Sequence, residues 1–323
     1  MTDPAPVRFL CSAASEARGE PVLGTASRVD RWVLLEQPGP WGPRSLPQCA
    51  VPDEVLLPFQ RRAAAEHART LAMRYPGRAG RARGPRRVVA ADSREGTLWV
   101  TEFADDRALA AALPDLVLPF GAATPPGRPA AAAPPAHPGW SPLVGSLVGV
   151  CTHGLHDTCC AVRGRPVVTA LAAALPEQVV ELSHIGGDRF AANALVLPAG
   201  HYLGHVPAEA AVALVGQVLA GTRPTEGYRG RSTWAMPVQA AEHHAALALG
   251  ITTLGALHPT GFAEPAPGTA EVTFERGDAP PLLVRLHRVT DPRPRRLTCQ
   301  ATTEARPSHW ELTELVELPH PTG

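Results

Sequence analysis

Residues 143–150 read LVGSLVGV and run directly into CTHGLHDTCC, residues 151–160. A continuous apolar run of this length, bounded by polar residues, is expected of a strand buried on both faces. The segment that leaves it carries Cys151, Cys159 and Cys160, three of the chain's six cysteines, together with His153 and His156. Downstream, Arg165–Leu175 is an Ala/Leu/Val helix ended by Pro176, and Val179–Leu182 is a second strand. A second polar loop, SHIGGDRFAAN over 183–193, leads to strand Ala194–Leu197 and its hairpin partner Tyr202–Val206. Pro207 then opens a helix to Ala220, with Val212, Val215 and Leu219 on one face and Gly221 as its stop.

Strand, helix, strand, hairpin, helix is the thioredoxin-like order. Open α/β sheets place their chemistry at the ends of the first strands, where both polar loops fall. The expected fold class is therefore α/β with a mixed sheet.

The same order appears upstream in weaker form. Arg31–Glu36 (RWVLLE) reads as a strand, Phe59–Tyr75 as a helix stopped by Pro76-Gly77, Arg87–Ala91 and Thr97–Phe103 as a hairpin, and Asp105–Ala112 as a short helix. Between the halves, AATPPGRPAAAAPPAHPGWSP (122–142) has seven prolines in 21 residues, a composition suited to a semi-rigid spacer. A second Pro/Gly-rich stretch, 259–268, precedes alternating apolar residues such as Val272, Phe274, Val284 and Leu286. The expected division is 1–121, a degenerate thioredoxin-like half; 122–142, a linker; 143–258, the chemistry-bearing domain; and 259–323, a β-rich extension.

Composition narrows the function. The chain has 323 residues, 45% of them hydrophobic, and its 30 basic and 30 acidic residues cancel. Such a chain has no broad electrostatic reason to bind nucleic acid or an anionic membrane. All 30 basic residues are Arg and Lys is absent, which fits GC-rich coding, so single Arg residues are weak evidence for phosphate binding. The cluster Arg78, Arg81, Arg83, Arg86 and Arg87 has no interleaved aromatics and reads as a solvated loop. No apolar run is long enough to span a bilayer, and MTDPAPVRFL lacks a signal-peptide core; a cytoplasmic chain is expected.

In a reducing compartment, clustered cysteines beside histidines point to a metal or redox site. Thiolate, imidazole and carboxylate donors from two loops at one sheet end make a plausible ligand set. The spacing is too long for a zinc ribbon and lacks the Cys-x-x-Cys of a thioredoxin active site. Cys11, Cys49 and Cys299 read as small buried hydrophobes. His153 and His156 read as outer-sphere or solvent-facing groups. No nucleotide loop, nucleophile elbow or glycosidase carboxylate pair is present.

Four stretches carry a family resemblance: GTASRVDRWVLLEQPGPWG (24–42), CTHGLHDTCCAVRGRP (151–166), SHIGGDRFAANALVLPAGHYLGHV (183–206) and RGRSTWAMPVQAAE (229–242). They resemble the sucrase/ferredoxin-like proteins, relatives of thioredoxin-like 2Fe-2S ferredoxins. Eukaryotic members use Cys-x8-Cys with His-x3-His, and the resemblance carries those positions to Cys151, Cys160, His184 and Asp188. Asp188 stands where the pattern has its second imidazole, and Cys159 competes with it for the fourth position. The resemblance implies a 2Fe-2S cluster, a redox partner protein and an electron carrier rather than a stand-alone enzyme. A monomer is expected, since two fused halves can replace a dimer of single ones. A thiol–disulfide oxidoreductase and a structural zinc protein are the alternatives from the same loops.

Overall fold

The computed structural model describes residues 9–46, 48–77, 84–121 and 137–319. Arg78, Arg81 and Arg83 of the basic cluster, and spacer residues 122–136, lie outside the described residues. Along the chain the elements are α1 (Cys11–Ala17), β1 (Arg31–Glu36), α2 (Asp53–Ala65), β2 (Ala68–Arg74), β3 (Arg86–Asp92), β4 (Thr97–Phe103) and α3 (Asp106–Ala112). There follow β5 (Ser141–Pro142), β6 (Leu147–Cys151), α4 (Thr158–Ala174), β7 (Val179–Leu182), β8 (Ala194–Leu197), β9 (His201–Leu203) and α5 (Ala211–Leu219). The last are β10 (Tyr228–Arg231), α6 (Met236–Ala248), β11 (His258–Ala263), β12 (Thr269–Arg276), β13 (Ala279–Thr290) and β14 (Ser308–Glu317).

Ten strands form one mixed sheet in the order β10-β9-β8-β6-β7-β2-β1-β3-β4-β5, and β11–β14 form a separate antiparallel sheet. The α/β class expected from the sequence holds. In the large sheet β6 pairs parallel with β7 and antiparallel with β8, which pairs antiparallel with β9. The N-terminal strands repeat this: β1 is parallel to β2 and antiparallel to β3, and β3 is antiparallel to β4. The two sets meet edge to edge where β2 and β7 run antiparallel, Met73 opposite Leu182 and Arg74 opposite Glu181.

Alternation along β1 shows why both faces are covered. Val33 and Leu35 pack with Leu56 and Phe59 of α2, whereas Trp32 and Leu34 face a core shared with Met73, Leu182, Ile185 and Tyr202. Cys151 and Cys160 belong to that shared core. No helix among the described residues is long and apolar enough to cross a membrane.

Three local expectations are corrected. Phe59–Tyr75 is not one helix: α2 stops at Ala65, His67 takes a positive φ of 58°, and Ala68–Arg74 is strand β2. ARTLAMR is built of good helix formers, but its slot between β1 and β7 satisfies its backbone as a strand, so tertiary pairing overrides propensity. Helix α4 begins at Thr158, not Arg165, because the Asp157 carboxylate accepts the Cys159 amide at 2.9 Å and caps it. On α5 the buried face is Leu214, Val215 and Val218, and Val212 is exposed.

Candidate metal centre

The site is built on two turns of chain at the end of the C-terminal strands. Cys151 is the last residue of β6, and Cys160 lies in the first turn of α4. Helix α4 crosses close over β6. A Cβ on Gly164 would stand 2.2 Å from the Cys151 carbonyl oxygen, so only glycine permits that crossing. The Thr152 hydroxyl donates to Glu181 Oε2 at 2.6 Å, and Arg74 from β2 pairs with the same oxygen at 2.7 Å. The first loop is thereby tied to both halves of the sheet.

The second loop is held by its carbonyls. Arg69 of β2 donates to the His184 oxygen at 2.7 Å and to that of Ile185 at 3.2 Å. Ser27 and Tyr202 also donate to the Ile185 oxygen, each at 3.2 Å. Arg229, wholly buried, donates to the Gly186 oxygen at 3.0 Å, to Asn193 Oδ1 at 2.7 Å and to the Thr25 oxygen at 2.6 Å. Burial without a directly paired carboxylate brings its guanidinium down to about 10. Gly187 sits at φ 80°, and a Cβ there would meet that guanidinium at 2.4 Å. Residues from both halves thus fix the backbone between His184 and Asp188.

Four side chains meet in one contiguous group. Cys151 and Cys160 lie in one buried core cluster, Cys160 Sγ lies 3.3 Å from Asp188 Oδ1, and His184 Nδ1 lies 2.8 Å from the same oxygen. The His184–Asp188 approach is poorly directed, leaving the buried Nδ1 without a hydrogen bond. The sequence reading left His156 outside the site. Its ring packs on that of His184 with centroids 3.8 Å apart, and its Nε2 lies 3.6 Å from Asp188 Oδ2.

The electrostatics separate the donors. The Cys160 thiol, helped by the amides of His153 and Ile185, pulls Cys151 down against its burial. Hydrogen bonding to Cys151 and burial push Cys160 up, so the thiol pair favours a single negative charge. Burial opposes ionisation of Asp188, yet the His156 and His184 imidazoles hold its carboxyl well below the usual range. Asp188 in turn raises His156. Burial lowers His153, whose Nε2 lies 2.8 Å from the Gly42 oxygen. The thiols are sealed in the core, while the His156 and His184 side chains are 37% and 26% exposed. Both border a cleft of about 390 Å³ that also includes Arg69, Gln60, Ser45 and His153.

Cys159 is placed elsewhere. It follows Asp157 into α4 one residue before Cys160, and successive helical residues point about 100° apart. Its sulfur lies 3.3 Å from Cys299 Sγ, in a group with Cys11 and Asp157. The neighbouring Cys11 thiol draws Cys159 down to about 5 against its burial. Among the described residues, two groups of side chains can hold a metal ion: His156, His184 and Asp188, in the same region as Cys151 and Cys160, and the set Cys11, Asp157, Cys159 and Cys299. Cys11 and Cys299 gave no spacing signal, since they stand far from Cys159 in the chain.

The sucrase/ferredoxin-like family model matches residues 22–230. That span includes both loops and their supporting residues Ser27, Arg69 and Arg229, and leaves Cys11 and Cys299 outside. No curated protein and no solved structure matches the chain.

Proposed function

The chain belongs to the sucrase/ferredoxin-like family, and from that premise we propose that it is an electron-transfer protein holding one 2Fe-2S cluster through Cys151, Cys160, His184 and Asp188. One observation carries the reading: Cys160, Asp188 and His184 stand in a single run of contacts, with Cys151 in the same core cluster as Cys160. The residues fit the group. A sulfur pair suits one iron and a nitrogen/oxygen pair the other, and His184 Nδ1 is buried and unpartnered. When bound, such a cluster supplies one-electron chemistry, at a potential raised by replacing thiolates with neutral imidazole.

The chain's own residues set the rest. Arg69 and Arg229 hold the second loop, so His184 and Asp188 keep their places through a change of charge. The exposed imidazole edge gives a partner close approach and leaves the outer nitrogen of His184 free to exchange a proton with the cleft. The expected partner is a redox protein, and the chain acts as a monomeric carrier.

The test is the midpoint potential as a function of pH. It is expected to fall as pH rises, and His184→Cys is expected to lower it and flatten the slope. An unchanged slope in His184→Cys contradicts the assignment of His184.

A second reading has its own support. The ligand atoms of His156, His184 and Asp188 lie within 4.8 Å of one another, the donor set of a mononuclear two-histidine, one-carboxylate iron site. Iron without acid-labile sulfide would favour it.

A further inference from the structure

Three sulfurs from three distant parts of the chain converge on the far side of the first turn of α4. Cys299 Sγ lies 3.3 Å from Cys159 Sγ and 3.6 Å from Cys11 Sγ. The Asp157 carboxylate faces them, with its two oxygens 3.6 and 3.7 Å from Cys11 Sγ. All four donor groups come within 4.8 Å of one another. A tetrahedral zinc–thiolate site, with Zn–S near 2.3 Å, spaces its sulfurs about 3.8 Å apart. The observed separations lie a few tenths of an ångström inside that figure and far outside a covalent S–S bond.

The surroundings are those of a closed site. Cys11 and Cys159 are buried, Cys299 is half-buried, and Phe9, Leu10 and Ala191 pack around them. A backbone group serves the donors: the Cys11 amide points at Cys299 Sγ at 3.5 Å. Asp157 receives the Cys159 amide at 2.9 Å and the Cys299 amide at 2.7 Å, so the carboxylate is already oriented. An odd number of thiols beside a carboxylate suits a metal better than a disulfide, which would leave one sulfur over.

We propose that Cys11, Cys159 and Cys299, with Asp157 as the fourth donor, bind one Zn²⁺ as a structural site separate from the Cys151/Cys160/His184/Asp188 centre. The ion joins three segments that also meet through the Glu16–Arg163 pair between α1 and α4 at 2.7 Å and through the Cys299 amide on Asp157. Cys11 opens α1, Cys159 begins α4, and Cys299 lies in the connection between β13 and β14, residues 291–307, which has almost no regular structure of its own. A connection of that length needs a tether to hold one conformation. Gln300, which donates to the Leu155 oxygen at 3.3 Å, and Arg296, which stacks 4.5 Å above the Phe9 ring, are weaker ties along the same seam. The vicinal pair Cys159-Cys160 thus divides between two centres, one sulfur to each.

Metal analysis of the full chain, purified without oxygen, tests the proposal. Wild type is expected to carry about one zinc per chain, and Cys11→Ser and Cys299→Ser to lose it by about tenfold or more while iron is retained. Cys160→Ser is expected to do the reverse. Independently of whether Cys11→Ser folds, Co²⁺ titration of metal-stripped wild type gives a second readout, a thiolate-to-cobalt charge-transfer band absent from a protein with Cys159 and Cys299 alkylated. Zinc content unaffected by both variants, no cobalt–thiolate band, or a Cys159–Cys299 disulfide in the freshly isolated chain would overturn the site. Loss of iron alone leaves it standing and bears on the cluster instead.

Discussion

In the C-terminal half of the large sheet, β6 ends in Cys151 and hands the chain to His153, His156 and the cap of α4. In the N-terminal half, the corresponding β1 ends in Glu36 and hands it to Gln37-Pro38-Gly39-Pro40-Trp41. The pairing around the two strands is the same, yet the loop after β1 is spent on packing. The Trp41 indole donates to the Gln37 oxygen at 2.8 Å, lies under the Arg74 guanidinium at 4.4 Å and meets the His153 ring edge-on at 5.9 Å. One half presents donors; the other walls them in and supplies Arg69 and Arg74 across the β2–β7 seam. Topology provides a sheet end where chemistry can sit, and the donor residues decide whether it does.

The largest test of that division is Cys160→Ser. Bound iron should fall by about tenfold or more, read by metal analysis on a chain whose far-UV circular dichroism is unchanged. Iron retained at the wild-type level would mean that the thiol pair is not the anchor.

Next in size is the bridge between halves. Arg69→Met removes the donors to the His184 and Ile185 carbonyls, and unfolding in urea should show a loss of about 1.5–3 kcal/mol, with faster iron release to a chelator. A loss of stability with no change in iron release would make the N-terminal half a passive wall.

Acid sensitivity should also come from the C-terminal half. Burial lowers His201 to about 3 and His243 to about 4, against about 6.5 in an unfolded chain. Between those values the unfolded chain binds more protons, so stability is full above pH about 6.5 and falls as pH drops below it. For these half-buried rings the loss by pH about 5.5 should be about 1 kcal/mol each, and His201→Asn should remove its share in thermal melts at both pH values. An undiminished acid response in His201→Asn would place the sensitivity elsewhere.

The smallest effect is expected in the N-terminal half. The Cys49 thiol donates to the Ser45 oxygen at 3.2 Å, and burial pushes it up to about 12. Cys49→Ser keeps that donor, and should leave iron content unchanged and stability within about 0.5 kcal/mol by urea unfolding. Loss of iron in this variant would break the division between the halves.

Several strands were legible because their residues admit one reading. RWVLLE, TLWVTEF, VVEL and ALVL are β-rich apolar runs, and their bounds coincide with β1, β4, β7 and β8. Strand β2 was not legible, since Ala, Leu, Met and Arg favour a helix and only pairing on both sides makes them a strand. At the site, the family pattern points to Cys151, Cys160, His184 and Asp188; Cys160 and His184 both approach Asp188, and Cys151 lies in the same core cluster as Cys160. The choice between Asp188 and Cys159 for the fourth position could not be made from spacing, because it depends on which way Cys159 faces from its helix. That direction follows from the Asp157 cap, the signal that reading the segment as a loop passed over. His156 joins the group through a turn of chain that brings it over His184, which no local pattern announces.

The central claim is that this sheet end holds a 2Fe-2S cluster. Iron and acid-labile sulfide should be counted on the chain purified without oxygen, beside its visible spectrum. The account predicts a brown protein with about two irons and two sulfides per chain. A colourless chain that takes up neither on reconstitution would contradict it.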